Sequence, residues 1–107
     1  MAIRTRFGPS PTGPLHIGGV RTALFNFLFA KNQKGSFILR IEDTDIERSE
    51  ARFKKEIIES LLWLGIQWDE EPYHQSERLS VYETHLKKLL EEGRSFWCSH
   101  SKEELEK

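Results

Sequence analysis

A run of prolines and glycines near the N-terminus constrains this chain more than any other feature. Residues 6–19 hold three of the four prolines and four of the seven glycines. A strand pattern, Ala2–Phe7, precedes the run, and a helical pattern, Ile17–Lys31, follows it. A turn between a strand and a helix places backbone N–H groups at a helix N-terminus, which favours anion binding. Because prolines restrict φ and glycines allow close approach, we expect a nucleotide phosphate to bind here.

The other patterns predict an α/β fold. Ser36–Ile41 has three consecutive large apolar residues, which indicates a strand buried on both faces. Strand, helix and strand at this spacing predict a βαβ unit with parallel strands and covering helices. Further predicted elements are helices at Glu50–Leu64 and Arg78–Glu92 and a short strand at Ser95–Cys98. Ligands of such folds bind beyond the carboxyl ends of the strands, here Phe7–Ser10 and Ile41–Asp45.

The apolar residues predict which helix faces are buried. Phe25 and Phe29 widen the apolar stripe of the first helix, so we expect it to be covered on more than one side. The residues of the second helix expected to point inward are Phe53, Ile57, Leu61 and Leu64. Trp63, Trp68 and Trp97 do not alternate with basic residues, and we interpret them as packing residues rather than groups that stack on RNA.

The composition sets broad limits. The formal net charge is −1, so nucleic-acid binding requires a local basic patch. The single cysteine excludes an internal disulfide and is typical of a reducing cytosol. No signal peptide or membrane-spanning run is present in the sequence, so we expect a cytoplasmic protein that does not bind membranes.

The last residues predict the start of a helix. Ser101-Lys102-Glu103-Glu104 has the pattern of a capping box, and the chain stops at Lys107. One or two helical turns are not stable alone, so we expect the chain to be part of a longer protein. The alternative is a frayed terminal segment.

Several motifs carry a resemblance to a known family. They are Arg6-Phe7-Gly8-Pro9-Ser10-Pro11-Thr12-Gly13, His16-Ile17-Gly18-Gly19, Ile41-Glu42-Asp43-Thr44-Asp45, Gln75-Ser76-Glu77-Arg78 and the residues from Ser101 to Glu106. Together they resemble class I aminoacyl-tRNA synthetases of the glutamyl/glutaminyl branch. The glutamyl-tRNA synthetases often carry Gly in place of the second His of the His-Ile-Gly-His signature.

The resemblance implies a place in a larger fold. Residues 1–107 are expected to form the N-terminal part of a Rossmann-like catalytic domain. The last of them, from about residue 95 to residue 107, are expected to lead into an inserted acceptor-binding region, and the rest of the protein is absent from this sequence.

The implied function is that of a glutamate–tRNA ligase. Such an enzyme activates glutamate with ATP and Mg²⁺ and transfers it from glutamyl-adenylate to the 3′ end of tRNA(Glu). The implied partners are therefore tRNA(Glu), glutamate and ATP, and we expect a monomer. A Lys-x-Ser-Lys loop, which holds the pyrophosphate end of ATP in the family, is absent from the sequence, so we expect this chain alone to be inactive. The alternatives are a glutamyl-Q tRNA synthetase, which attaches glutamate to a modified tRNA base, and a non-catalytic fragment.

The histidine at the helix entrance is the candidate for phosphate chemistry. Adenylate formation joins two negatively charged reactants, so its catalysis depends on positioning and on charge neutralisation. His16 is placed to donate a hydrogen bond to phosphate, and Gly18 and Gly19 leave room for the nucleotide. The resemblance implies a catalytic role for these three residues. The ATP-binding residues that it implies are Pro9, Ser10, Thr12, His16, Gly18 and Gly19. The alternative is a histidine at a helix N-terminus without a ligand.

Two opposite charges at neighbouring strand ends suit an amino acid substrate. Arg6 ends the first strand and Glu42 follows the second, and an arginine can bind a carboxylate while a glutamate binds an ammonium group. The resemblance implies that Arg6, Gly8 through its backbone, Ser10 and Glu42 bind glutamate, with the arginine on the side-chain carboxylate. The alternative is an Arg6–Glu42 salt bridge that only ties the strands together.

Asp43 and Asp45 also follow the second strand. An Asp-x-Asp pair at a strand end suits Mg²⁺, and it equally suits capping of the next turn. The resemblance implies a third role, in which this loop faces the terminal adenosine and acceptor stem of tRNA. The residues expected to make that contact are Asp45 and Arg48.

Cys98 and His100 form a Cys-x-His pair. Some members of the family carry two zinc ligands here at this spacing, and two more follow farther along the chain. A structural zinc site needs four ligands, so we expect at most a partial zinc site at Cys98 and His100. The alternative is a part-buried cysteine next to a surface histidine.

Overall fold

The computed structural model describes residues 2–107. Its elements are β1 (Arg4–Phe7), α1 (Ile17–Asn32), β2 (Ser36–Ile41), α2 (Ala51–Trp63), β3 (Tyr73–His74), a 3₁₀ turn (Gln75–Arg78), α3 (Leu79–Glu91) and α4 (Lys102–Leu105). The chain divides into two compact units, of which the first ends at Glu77 and the second begins at Arg78. Among the described residues, no helix has both the length and the apolar character needed to cross a membrane.

A three-stranded parallel sheet forms the centre of the first unit. The strand order is β1-β2-β3, and β1 pairs with β2 so that Phe7 lies opposite Leu39. In the second pair, Arg40 lies opposite Tyr73. The predicted α/β fold with parallel strands is confirmed. The third strand was not predicted, because two residues are too few to show an alternating pattern.

The core lies where β2 meets the two helices of the first unit. Its fully buried members are Ala23, Ala30, Phe37, Leu39, Ile41, Ile57, Leu61 and Ile66, joined by Phe7. On β2, Ile38 is only 5% exposed although its strand neighbours point the other way. The prediction that this strand is buried on both faces is therefore confirmed.

Helix α1 packs on the sheet through small residues. Ala23 and Ala30 are completely buried, because alanine lets a helix backbone approach a sheet closely. By contrast, Phe25 is 61% exposed and Phe29 is 51% exposed. The prediction that this helix is covered on more than one side is wrong for the described chain, which buries only the alanine face.

The turn after α1 carries the backbone strain of this unit. Lys34 adopts φ of 54°, a left-handed conformation that glycine usually occupies at a helix C-terminus. The next residue is a glycine for a different reason, because a Cβ at Gly35 would lie 2.3 Å from the carbonyl oxygen of Ile3. The position of the glycine therefore reflects close backbone packing, and the lysine carries the unfavourable φ.

Helix α2 buries a narrower stripe than its sequence predicts. Ile57 and Leu61 are buried, Phe53 is partly buried, and Leu64 is 43% exposed. Leu64 is the C-cap, and Gly65 with φ of 79° then turns the chain back so that Ile66 enters the core. The prediction for Leu64 is therefore wrong, because the helical period ends one residue before it.

The tryptophans differ in their surroundings. Trp68 packs against the core, whereas Trp63 is 85% exposed and Trp97 is 84% exposed. The interpretation of all three as packing residues is wrong for Trp63 and Trp97.

The second unit is built from exposed helices. Helix α3 has no buried residue. Ser95–Cys98 is not a strand, since no described segment pairs with it to supply ladder hydrogen bonds. The predicted capping box is confirmed at α4: the Ser101 hydroxyl accepts a hydrogen bond from the Glu104 N–H, and the Ser101 N–H donates to the Glu104 carboxylate.

Candidate active site

The proline-rich loop is held at two points to the end of the sheet. The Glu42 N–H donates to the carbonyl oxygen of Pro9 at 2.9 Å, and the Glu50 N–H donates to that of Pro11 at 3.1 Å. Both prolines are buried. The loop is therefore tied to the residues that follow β2 and to the first turn of α2, and its φ angles at proline are already restricted.

His16 closes the loop as the N-cap of α1. Its Nδ1 accepts hydrogen bonds from the N–H groups of Gly18 at 3.1 Å and Gly19 at 3.4 Å. The backbone N–H groups predicted at the helix N-terminus include those of Gly18 and Gly19, and the histidine ring accepts from both. The sequence predicted that His16 donates a hydrogen bond to phosphate, but it did not predict that His16 caps the helix.

The cap determines which nitrogen of the neutral His16 ring carries the proton. Since Nδ1 accepts from N–H groups, the proton of the neutral imidazole is on Nε2. The His16 side chain is exposed, so the Nε2–H donor is open to a ligand. The capping arrangement therefore replaces two backbone donors with one side-chain donor that projects from the helix end.

A cavity of about 420 Å³ lies beneath the loop. Five of the six residues predicted to bind ATP line it, namely Pro9, Ser10, Thr12, His16 and Gly19. The sixth, Gly18, is not in the wall; a Cβ there would lie 2.9 Å from the His16 ring. Arg48, predicted to contact tRNA, also lines the cavity. Its volume is within the range of small-molecule sites, roughly 300–1,000 Å³.

A second cavity of about 560 Å³ lies on the other side of His16. Its wall is mostly apolar and includes Ile17, Val20 and the exposed indole of Trp63. His16 lines both cavities. The ring is therefore common to the wall of the loop cavity and to the wall of the mostly apolar second cavity.

The residues predicted to bind glutamate lie at adjoining strand ends. Glu42 reaches over Gly8 so closely that a Cβ at Gly8 would lie 2.7 Å from Glu42 Oε1. Arg6 is exposed and lies opposite Ile38 in the strand register. Among residues 2–107, no ion pair joins Arg6 to Glu42, so the strand-tying salt bridge is absent from the structure. Neither residue lines the two cavities described above.

Asp43 is a buried carboxylate that was not predicted as a structural centre. It is 4% exposed and accepts hydrogen bonds from the Ser76 N–H at 2.9 Å and the Ser76 hydroxyl at 2.8 Å. Lys54 Nζ lies 2.9 Å from its second oxygen. Burial alone raises the pKa of Asp43, but the hydrogen bonds from Lys54 and Ser76 outweigh it and lower the pKa to about 2.

The Asp-x-Asp pair, Asp43 and Asp45, forms hydrogen bonds and ion pairs within the protein. Both oxygens of Asp43 are bonded within the protein, to Ser76 and Lys54, and the residue is only 4% exposed, which disfavours a metal ion there. Asp45 instead accepts from the Arg48 N–H at 3.3 Å, and its other oxygen lies 3.7 Å from the Arg48 guanidinium. Asp45 therefore caps the turn that follows, as one of the sequence alternatives predicts. The described residues offer no carboxylate pair for Mg²⁺ here.

Cys98 and His100 are close to each other in the second unit. The Cys98 Sγ lies 3.7 Å from His100 Nδ1, and the cysteine is exposed rather than part-buried. Within the part of the chain that the structure describes, no group of three or more His, Cys, Asp or Glu side chains is placed to hold a metal. Two side chains are fewer than the four ligands that a structural zinc requires.

The chain is similar to known proteins over nearly its whole length. Residues 2–107 match the family model described as tRNA synthetases class I (E and Q), catalytic domain. The chain is 60% identical to a protein named Glutamate–tRNA ligase from Coprothermobacter proteolyticus. The alignment extends over 104 residues and covers 97% of this chain and 22% of that protein. It is 58% identical over 113 residues to Glutamate–tRNA ligase 2 of Caldicellulosiruptor saccharolyticus, which covers 98% of this chain and 23% of the relative.

Solved structures have the same fold. A glutamate–tRNA synthetase from Elizabethkingia anophelis superposes with a TM-score of 0.87 at 44% identity, over 99% of this chain and 23% of that one. A glutamate tRNA ligase from Elizabethkingia meningosepticum, crystallised in complex with its amino acid, superposes with a TM-score of 0.86 over the same shares. The chain spans 22–24% of the length of the curated relatives it matches.

Proposed function

Because the chain belongs to the family of class I tRNA synthetases of the E and Q type, as part of their catalytic domain, we propose that it comes from a glutamate–tRNA ligase. The complete enzyme joins glutamate to ATP as glutamyl-adenylate and then transfers glutamate to the 3′ end of tRNA(Glu). The observation that carries the proposal is the loop cavity, in which five of the six residues expected to bind ATP meet. The names of the relatives favour the ligase over the base-modifying alternative.

The first step forms a mixed anhydride. An oxygen of the glutamate α-carboxylate attacks the α-phosphorus of ATP, and the bond from that phosphorus to the bridging oxygen of pyrophosphate breaks. Negative charge increases on the phosphate oxygens during this exchange, so a fixed donor lowers the barrier. We assign this donor to His16 Nε2–H, which the capping bonds to Gly18 and Gly19 hold in one ring orientation.

Mg²⁺ accompanies ATP in this proposal rather than binding to a protein cage. Magnesium in such sites is held largely by substrate phosphates and water. The described residues fit this arrangement, because Asp43 is occupied by Lys54 and Ser76 and Asp45 is bonded to Arg48. When bound, the ion neutralises phosphate charge.

Recognition of the amino acid is assigned to the adjoining strand ends. Arg6 is the proposed partner of the side-chain carboxylate, since its planar guanidinium can form two parallel hydrogen bonds. Glu42, which lies against Gly8, is the proposed partner of the α-ammonium group, with the Gly8 backbone and Ser10 completing the site. Neither charge is neutralised by the other among the described residues, which supports a binding role for both.

The remaining proposals concern tRNA binding and the full-length enzyme. Asp45 and Arg48 are the proposed contacts to the terminal adenosine and acceptor stem of tRNA. Arg48 supports this role because its side chain is 71% exposed and it lines the loop cavity. We also propose that the enzyme is cytoplasmic and monomeric.

The test is glutamate-dependent charging by the full-length protein. ATP–pyrophosphate exchange is measured in the presence of tRNA with glutamate, glutamine or aspartate, and glutamate is expected to be preferred. The 107-residue chain is assayed in parallel and is expected to turn over far below the ordinary enzyme rate of about 1 s⁻¹.

The site of attachment separates the ligase from the base-modifying alternative. A tRNA(Glu) that lacks its terminal adenosine is expected to accept no glutamate. Incorporation of glutamate into that shortened tRNA would contradict the proposal and favour a glutamyl-Q tRNA synthetase. Full activity of the 107-residue chain would contradict the expectation that residues outside this sequence hold the pyrophosphate end of ATP.

A further inference from the structure

Asp43 connects three segments that are far apart in the sequence. It follows β2, its oxygens accept from Ser76 in the 3₁₀ turn, 33 positions away, and Lys54 reaches it from α2. The Asp43 side chain is 3% exposed and that of Lys54 is 32% exposed. This is a buried charge with three bonds to protein groups, and not a flexible surface carboxylate.

The neighbours of Asp43 are the residues to which the proposed function gives direct contacts. Glu42 precedes it, and Asp45 and Arg48 are in the turn that follows. The Glu42 backbone is held on one side by Pro9, through a hydrogen bond of 2.9 Å. Asp43 holds the same stretch of backbone on the other side. A displacement of Asp43 would therefore move Glu42 and the beginning of the turn together.

We propose that Asp43 is a positioning residue, which fixes the direction of Glu42 toward the substrate α-ammonium group by fastening the end of β2 to Ser76 and Lys54. The inference rests on the proposed function of Glu42. Asp43 itself touches no substrate, because both of its oxygens are bonded inside the protein. Asp43 acts by restricting the backbone at the end of β2 and therefore the directions that the Glu42 side chain can take.

A purely structural role has different consequences. If Asp43 only stabilised the fold, its loss would lower the melting temperature and leave the Michaelis constant of the folded enzyme unchanged. If it positions Glu42, the Michaelis constant for glutamate rises, while that for ATP, which meets other residues, does not. Because the ammonium group is bound equally in the ground and transition states, kcat changes less than KM.

The experiment compares four variants of the full-length enzyme. Asp43→Asn keeps the shape of the side chain and loses the ion pair with Lys54; Ser76→Ala removes the hydroxyl donor; and Lys54→Met removes the ammonium group. The control is Leu61→Ala, a buried core residue that lies in neither cavity. Kinetics with glutamate and with ATP are measured for each, together with hydrogen exchange of the backbone amides of residues 42–48.

Asp43→Asn is expected to raise the KM for glutamate about tenfold, the lower end of what loss of a supporting residue costs at metal sites. The KM for ATP should stay within about twofold, and exchange should accelerate in residues 42–48. In a Glu42→Gln background the same change should raise the glutamate KM by less than about twofold, because the group being positioned is already altered. Leu61→Ala should lower the melting temperature without changing either KM.

Two results would overturn the inference. One is a glutamate KM within twofold of the unmodified enzyme in Asp43→Asn, or in Ser76→Ala and Lys54→Met if Asp43→Asn does not fold. The other is unchanged exchange in residues 42–48. An unmodified enzyme that does not use glutamate would contradict the proposed function instead, and the exchange measurement would still decide whether Asp43 orders this loop.

Discussion

The carboxylate of Glu42 lies against the Cα of Gly8, close enough that a Cβ there would be 2.7 Å from Glu42 Oε1. The contact joins the ends of β1 and β2 without an ion pair. It leaves the negative charge of Glu42 and the positive charge of Arg6 separate from each other among the described residues. The absence of an Arg6–Glu42 ion pair among the described residues is consistent with the glutamate-binding roles proposed for both residues.

Arg6 should determine which amino acid is accepted. In the full-length enzyme, Arg6→Gln is expected to raise the KM for glutamate and to narrow the preference for glutamate over glutamine, because an amide satisfies a guanidinium only in part. Glu42→Gln should weaken both amino acids together, since both carry the same α-ammonium group. Steady-state pyrophosphate exchange with each amino acid measures the ratio. A glutamate-to-glutamine ratio that does not change in Arg6→Gln, with circular dichroism showing a folded protein, contradicts the assignment.

His16 has two roles that different substitutions separate. His16→Ala is expected to slow adenylate formation by ~10²–10³ through loss of the Nε2–H donor. It should also cost about 1 kcal/mol in the free energy of unfolding through loss of the N-cap. His16→Asn provides a good cap, and its shorter side chain cannot place an N–H donor at the position of Nε2, so it should recover the stability and not the rate. Urea unfolding and single-turnover kinetics on both variants test this, and an unchanged rate in His16→Ala removes the catalytic role.

Gly18 should matter for the position of the histidine ring rather than for helix stability. In Gly18→Ala the new Cβ would lie 2.9–3.0 Å from two atoms of the His16 ring, so the ring must move away from its capping position. Alanine favours a helix by about 1 kcal/mol over glycine, which offsets the lost cap. We expect nearly unchanged stability with slower adenylate formation. Gly13→Ala, whose Cβ meets nothing within 4 Å, is the matched control for stability and should leave the free energy of unfolding nearly unchanged.

The turns after α1 and α2 should respond to substitution with opposite signs. Lys34 has φ of 54°, so Lys34→Gly is expected to raise the free energy of unfolding by about 0.5–1 kcal/mol. Gly65 has φ of 79°, so Gly65→Ala should lower it by about 1 kcal/mol. Thermal or urea unfolding measures both changes. Two changes of the same sign would show that side-chain contacts, rather than backbone conformation, dominate at these turns.

Acid should weaken the fold through Asp43. The pKa of this carboxyl is lowered from 3.8 to about 2 in the folded protein, so its stabilisation is complete above the unfolded pKa and is lost as the pH falls toward about 2. The loss amounts to about 2 kcal/mol, since one pKa unit corresponds to about 1.4 kcal/mol. Urea unfolding between pH 5 and pH 2 should therefore show a shallower decline in Asp43→Asn than in the unmodified protein. Parallel declines would contradict this.

The parts of the fold that sequence patterns predicted are those encoded by neighbouring residues. The doubly buried β2 and the capping box at Ser101 each depend on fewer than ten consecutive positions, and the βαβ unit depends on the continuous stretch of residues 4–41. The errors occur at residues whose role or burial depends on a contact with residues far away in the sequence. Asp43 is explained by its bonds to Ser76 and Lys54, and Phe25 and Phe29 are apolar without a covering element among the described residues. A pattern of apolar residues shows that a face is suited to burial, and only the tertiary structure shows whether anything covers it.

The predicted site residues followed the same rule. The motif spacing predicted a nucleotide site at the loop and the helix entrance, and residues of both line one cavity. The ring orientation of His16 was not predictable, because it depends on which N–H groups Nδ1 reaches in three dimensions.

The exposed indole of Trp63 provides an intrinsic fluorescence signal from the cavity next to His16. Trp63 and His16 line one cavity, and the indole is 85% exposed, so its fluorescence responds to what replaces the water around it. Trp68 is packed against the core and supplies a steady internal reference. Once the exposed Trp97 is replaced by phenylalanine, occupancy near the helix entrance can be followed by quenching with iodide or acrylamide, without a label and without turnover.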